Sequence, residues 1–290
     1  MSPAKVQVHE LIAWGLDEYP YRNSAIDLTQ EAFAKKIERA RQQLAERKSY
    51  ADCPAFLEEE TESIRHLFAT YSQSTDLQEE YQGLDWTLGV VDLRRLLAFQ
   101  RRLVFNPEHG LSYIPQQSDW PDLMSFAMGS RRATEYRMVR HSNIADGLDI
   151  TLHSNNPDLQ LRLKPKPEKN EEAPFSLFGG NPYFEAAEYK GRWFLRDGYH
   201  RAYRLLQAGV HRVPAVAIYA HTLKELGATE PWFFDENQLL SDRPPRVLDF
   251  LDETVVLRYE RPPLRKVIRI RIQESFELFD EIDEVQGEKI

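Results

Sequence analysis

An Asp-Gly turn set between two apolar runs constrains this chain most: RWFLRDGYHRAYRLLQAGVHRVPAVAIY, residues 192–219. Arg192–Leu195 is a short aromatic and aliphatic run suited to a strand. Asp197-Gly198 then signals a turn, because glycine permits a sharp change of direction and close backbone approach to a ligand. His200–Ala208 carries the helical period, with Ala202, Leu205 and Leu206 on an inner face, and Gly209 ends it. Val213–Tyr219 reads as a second apolar strand. The predicted unit is therefore strand, glycine turn, helix, glycine stop, strand.

Such a turn leaves backbone N–H groups unpaired at a helix N-terminus, where the helix dipole also favours an anion. Arg201 in the first turn adds a guanidinium suited to bidentate phosphate contact. His200 can donate to a phosphate or move a proton near neutral pH. Asp197 can hold a metal ion or accept a proton. Tyr199 reads better as a wall or packing residue than as a catalyst.

RDGYHRAYRLLQAGVHRVPAVAI resembles the signature of the ParB/sulfiredoxin superfamily, in which a strand leads through a glycine-containing basic motif into a helix, and an Ala-Gly ending precedes a Val-Pro strand. The upstream VVDLRRLLAFQ resembles the short strand and helix that open the family domain, so the likeness covers roughly Trp86–Tyr219. Members bind nucleotide phosphates there: CTP in partition proteins, ATP in sulfiredoxins, ADP or ATP in free-serine kinases. The resemblance implies phosphate binding by Gly198, Tyr199, His200 and Arg201, with Asp197 and His200 catalytic and Asp197 on Mg2+. Two departures matter. Tyr199 stands where sulfiredoxins carry their nucleophilic cysteine, and only Gly198 and Arg201 agree with the Gly-Glu-Arg-Arg of partition proteins.

Composition narrows the function. Across 290 residues the net charge is -9, which argues against a protein whose main partner is a phosphate backbone. The segment EPWFFDENQLLSDRPPRVLDFLDE beyond Tyr219 offers no convincing recognition helix. The one cysteine, Cys53, excludes an intramolecular disulfide and a Cys-based zinc cluster. No signal peptide and no membrane-length apolar stretch is apparent, so the expected location is cytoplasmic.

The expected fold is α+β: a ParB/sulfiredoxin-like mixed sheet with flanking helices, preceded by a helical N-terminal region. The expected domains are a helical region at 1–84, a nucleotide-binding domain at 85–222 with inserted strands near 130–165, and an acidic, aromatic extension at 223–290. Helices are expected in LTQEAFAKKIERARQQLAERKSYA, capped near Asp27, and in PAFLEEETESIRHLFATYSQS. Leu93, Leu96 and Leu97 suggest a further helix with Arg94, Arg95, Arg101 and Arg102 outward. ATEYRMVRHS and VIRIRI read as strands, and LDITLHS and DLQLRLKP as a hairpin across Asn155-Asn156-Pro157. KPKPEKNEEAP is a polar linker, and ESFELFDEIDEVQGEKI an acidic, solvated tail.

Secondary candidates are Arg131, Arg132, Arg137 and Arg140 as a basic groove, and His211-Arg212 as phosphate contacts. Gly179-Gly180-Asn181-Pro182 could cover phosphates, and Glu185 and Glu188 could serve as metal or base residues. The leading expectation is an NTPase or small-molecule phosphotransferase acting on ATP, ADP or CTP with Mg2+, together with a small anionic or hydroxyl-bearing substrate. A non-catalytic nucleotide-gated interaction module, including a homo-oligomer, is the alternative. A ParB-like DNA-associated factor comes third.

Overall fold

The computed structural model describes residues 5–15, 30–51, 53–105, 113–129, 137–143, 147–154, 159–163, 175–179 and 183–272. The fold is mixed α+β, with helices and several separate sheets. The chain divides into two compact units, residues 1–129 with 182–262 and residues 130–181 with 263–290, which cuts across the expected boundaries at 84/85 and 222/223. No described helix is long and apolar enough to cross a membrane.

In chain order the first unit opens with strand β1 (Val6–Leu11) and helix α1 (Gln30–Glu46). Next are the short helices α2 (Glu58–Ser63), α3 (Arg65–Tyr71) and α4 (Thr75–Glu80). Then come strands β2 (Trp86–Asp92), β3 (Leu97–Ala98) and β4 (Arg102–Phe105), and helix α5 (Trp120–Ala127). The second unit contributes β5 (Arg137–Asn143), β6 (Gly147–Ser154), β7 (Leu159–Leu163) and β8 (Phe175–Gly179). The first unit resumes with β9 (Glu185–Tyr189), β10 (Arg192–Asp197), helix α6 (Tyr199–Gln207) and β11 (Arg212–Ala220). It ends with α7 (Leu223–Leu226), α8 (Glu236–Leu239), a 3-10 turn at Val247–Leu251 and β12 (Val256–Arg261), after which β13 (Lys266–Ile272) returns to the second unit.

The main sheet runs β2-β11-β9-β10-β3. Strand β11 lies between antiparallel β2 and parallel β9, and Val213–Ile218 are all buried. A strand paired on both sides and covered on both faces explains an apolar run without alternation. Helix α6 turns Ala202, Tyr203, Leu205 and Leu206 inward and leaves His200, Arg204 and Gln207 exposed, the pattern of an amphipathic helix. At its end the Gly209 N–H donates to Leu206 and the Val210 N–H to Leu205, a Schellman stop built on the positive φ of Gly209.

The N-terminal region is not wholly helical. Strand β1 pairs antiparallel with β12 and with β4 in a three-stranded sheet, so residues 6–11 join a partner some 250 positions away. One face of this sheet packs against α1, where Ile12, Ala40, Val255 and Leu257 meet Phe33, Ile37 and Leu44. On the opposite face His9 and Phe105 meet Tyr203 of α6. The expected cap at Asp27 lies outside the described residues.

Three local expectations are corrected. Leu93, Leu96 and Leu97 are buried, but they occupy a turn and β3 rather than a helix. Their spacing of three and four residues imitates the helical period. Arg101 and Arg102 are consequently not a solvated face: Arg101 bonds the carbonyls of Phe233 and Gly15, and the Arg102 side chain is only 10% exposed beside buried Glu10. The second expected helix breaks into α2 and α3, and α4 follows it. In the second unit β6 pairs with β5 and β13, while β7 pairs with β8, so the expected β6–β7 hairpin does not form. The linker at 164–174 and the acidic tail lie outside the described residues.

Candidate functional site

Strand β10 leads into α6 through Gly198, whose φ is +94°. This left-handed conformation is open to glycine and strained for a residue with a side chain. Space imposes the same choice, since a β-carbon here would stand 2.8 Å from Cδ2 of the fully buried Phe184. Gly198 is the N-cap of α6 and, as a glycine, brings no capping side chain of its own. The Asp197 carboxylate accepts the Gly198 N–H one step earlier.

The motif side chains then part company. Tyr199 is buried, and its hydroxyl accepts the N–H groups of Phe99 at 3.0 Å and Gln100 at 3.4 Å. Burial pushes its phenol well above the usual range, so it stays neutral. Tyr199 thereby fixes β3 to α6. His200 is exposed, edge-on to Phe105 at 5.3 Å, with Nε2 2.9 Å from the Val104 carbonyl oxygen. A carbonyl only accepts, so Nε2 carries the proton in this contact.

Arg201 turns inward. Its Nη1 donates to the Phe126 and Ala127 carbonyls, both at 3.2 Å, and its Nη2 to Tyr183 at 2.7 Å. Phe126 and Ala127 close α5, whose last carbonyls need partners, so Arg201 joins the end of that helix to the approach to β9. Burial lowers its pKa, against the opposing pull of Asp197 and Glu185. It remains a guanidinium all the same. The expected bidentate phosphate ligand is therefore engaged as a clamp on three carbonyls.

Behind the turn lies a set of buried charges that includes residues no motif pointed to. Glu185, 1% exposed, accepts from the Tyr81 hydroxyl through Oε1 and from Arg196 through Oε2. Arg196 also donates from Nε to the Glu225 carbonyl at 3.1 Å. Burial lowers the Arg196 pKa, but neighbouring Glu185 more than compensates and leaves it above the ordinary value. The one sequence signal for Arg196 was an arginine beside the apolar strand residue Leu195. Tyr81, more than 100 positions from Glu185, offered none.

The other candidates lie elsewhere. Glu188 points to the opposite face of β9 from Glu185, by strand alternation, and accepts the Gly191 N–H. Arg212 pairs with Glu60, and the His211 N–H donates to Gln117. Arg94 and Arg95 pair with buried Asp92. Arg137 belongs to the second unit. Arg131, Arg132, the Arg140 side chain and residues 180–182 fall outside the described residues. Among the described residues no group of three or more His, Cys, Asp or Glu side chains is placed to hold a metal ion. Compared with known proteins, the chain matches no family model, no curated protein and no solved structure.

Proposed function

We propose that this chain binds nucleotide phosphates at the N-terminus of α6, as an NTPase or small-molecule phosphotransferase of the ParB/sulfiredoxin type. The observation that carries the reading is Gly198: a left-handed N-cap, itself without a capping side chain, on the first turn of a nine-residue helix, reached directly from a sheet strand. Backbone N–H groups and the helix dipole there favour an anion. Exposed His200 in the same turn supplies a donor or proton carrier. Asp197 is a hard oxygen donor, suited to Mg2+ completed by phosphate oxygens and water, and the bound ion would neutralise phosphate charge.

The engagement of Tyr199 and Arg201 in holding the fold favours a second reading, a nucleotide-gated binding module without turnover. One sequence of experiments separates the two. The protein is titrated with ATP, ADP, CTP and GTP in Mg2+ while thermal unfolding is followed. A native-state ligand at 100 times its Kd adds about 2.7 kcal/mol of stability. Release of phosphate from the stabilising nucleotide then supports the enzyme, and stabilisation without release supports the module. No shift with any of the four overturns both.

A further inference from the structure

Three consecutive residues, Tyr183, Phe184 and Glu185, form the back of the glycine turn. The Tyr183 carbonyl accepts from Arg201, the Phe184 ring closes the space beside Gly198, and Glu185 grips Arg196. The pairing of β9 with β10 is irregular at this point: Leu195 faces Ala186 and Asp197 faces Glu185, so Arg196 is the extra residue of a β-bulge. A bulge of this kind sets two adjacent residues against one partner and re-aims the chain beyond it. Arg196 and Asp197 thus both stand opposite Glu185, immediately before the phosphate-binding turn.

The Glu185–Arg196 pair is a poor way to gain stability. Burying two charges costs about as much as their attraction returns, and apolar replacements of similar size are often neutral or better. The pair also does more than fill space. The carboxylate is held on its other oxygen by Tyr81, and the guanidinium is held at Nε by the Glu225 carbonyl. Both partners are therefore fixed in direction, and the bulge between them is fixed as well. We propose that Glu185 is a positioning residue for the phosphate site: by gripping Arg196 it holds the bulge that aims Asp197 and the first N–H groups of α6 at the anion. This rests on the phosphate-binding reading above, and it assigns Glu185 a role other than metal ligand or base.

The test is calorimetric titration with inorganic tripolyphosphate in Mg2+, a probe that carries the phosphates and no base. The full-length chain is compared with Glu185→Gln and with the double variant Glu185→Gln/Arg196→Met, and urea unfolding is measured on each. Glu185→Gln is expected to weaken tripolyphosphate binding at least tenfold and to lose stability, because it leaves the partly buried Arg196 without its carboxylate. The double variant, with both charges gone, is expected to recover stability but not affinity. A pair that served stability alone would recover both, and a double variant binding as tightly as the unaltered chain overturns the inference. If Glu185→Gln does not fold, the double variant decides the matter. An unaltered chain that binds neither tripolyphosphate nor any of the four nucleotides overturns the phosphate reading itself, and this inference with it.

Discussion

The Phe184 ring occupies the space that a side chain on Gly198 would need, with Cδ2 2.8 Å from the position of a β-carbon. Gly198→Ala therefore meets two penalties, a left-handed backbone with a β-carbon and a clash with a fully buried ring. Together they are expected to cost roughly 2–4 kcal/mol, read as a lower urea midpoint at unchanged slope. Gly198→Ala/Phe184→Leu should recover the clash but not the backbone strain. A double variant whose loss equals the sum of the two single losses would show that the residues are not coupled.

Tyr199→Phe removes the acceptor of two backbone N–H groups, that of buried Phe99 and that of half-buried Gln100. The expected loss is about 1–3 kcal/mol of unfolding free energy with nucleotide affinity retained, since the hydroxyl faces β3 and not the turn. Loss of nucleotide binding from a variant that remains folded would place the phenol in the ligand site after all.

His200 separates site from scaffold more cleanly than Arg201, which clamps three carbonyls and whose removal would first register as unfolding. His200→Glu sets a carboxylate in the first turn of α6, where the dipole tolerates it but a phosphate would be repelled. Stability should change by less than about 1 kcal/mol, because the side chain is exposed, with the Val104 carbonyl and the edge of Phe105 among its contacts. Nucleotide binding should fall at least tenfold. Equal affinity for the stabilising nucleotide in His200→Glu and the unaltered chain would move the anion away from this turn.

The strand–turn–helix–strand unit was legible because its signals are local: an apolar run, Asp-Gly, Ala202 with Leu205 and Leu206 at helical spacing, and a second glycine. The rest was decided by partners distant in sequence. Strand β1 reads as VQVHEL, with His9 and Glu10 both buried, so no alternation marks it, and its partners are residues 102–105 and 256–261. The leucines at 93, 96 and 97 satisfy a helical pattern while packing around a turn. Strand β6 finds β13, more than a hundred positions on, in place of the β7 that comes next in the chain. Within the site, the side chains that a motif groups together are sorted by the surrounding fold. His200 stays exposed and Gly198 is buried against the Phe184 ring, whereas Tyr199 and Arg201 are drawn in by Phe99, Ala127 and Tyr183, none of which sits in the motif. The bulge at Arg196 likewise depends on register with β9, which a single strand does not encode.

His9 supplies a pH dependence whose sign is set by its surroundings. It is 3% exposed between Phe105 at 4.8 Å and Tyr203 at 5.4 Å, and among the described residues neither ring nitrogen has a hydrogen-bond partner. Burial first, and then the charges of Arg258 and Arg204, pull its pKa down to about 4 from 6.5. The native state thus prefers the neutral ring, and the unfolded chain binds the extra proton between these values. Stability from this residue is complete above pH 6.5 and is lost as the pH falls toward 4, by up to about 3 kcal/mol. Below pH 4 both states are protonated and the slope ends. His9→Phe keeps a ring of similar shape between the two aromatics and cannot titrate, so its urea midpoint should fall less steeply over this interval than that of the unaltered chain. Parallel curves for the two proteins from pH 7 to pH 4 would mean that His9 reaches water or a partner as readily in the native state as in the unfolded one, and the sheet β12-β1-β4 would then owe none of its acid sensitivity to this residue.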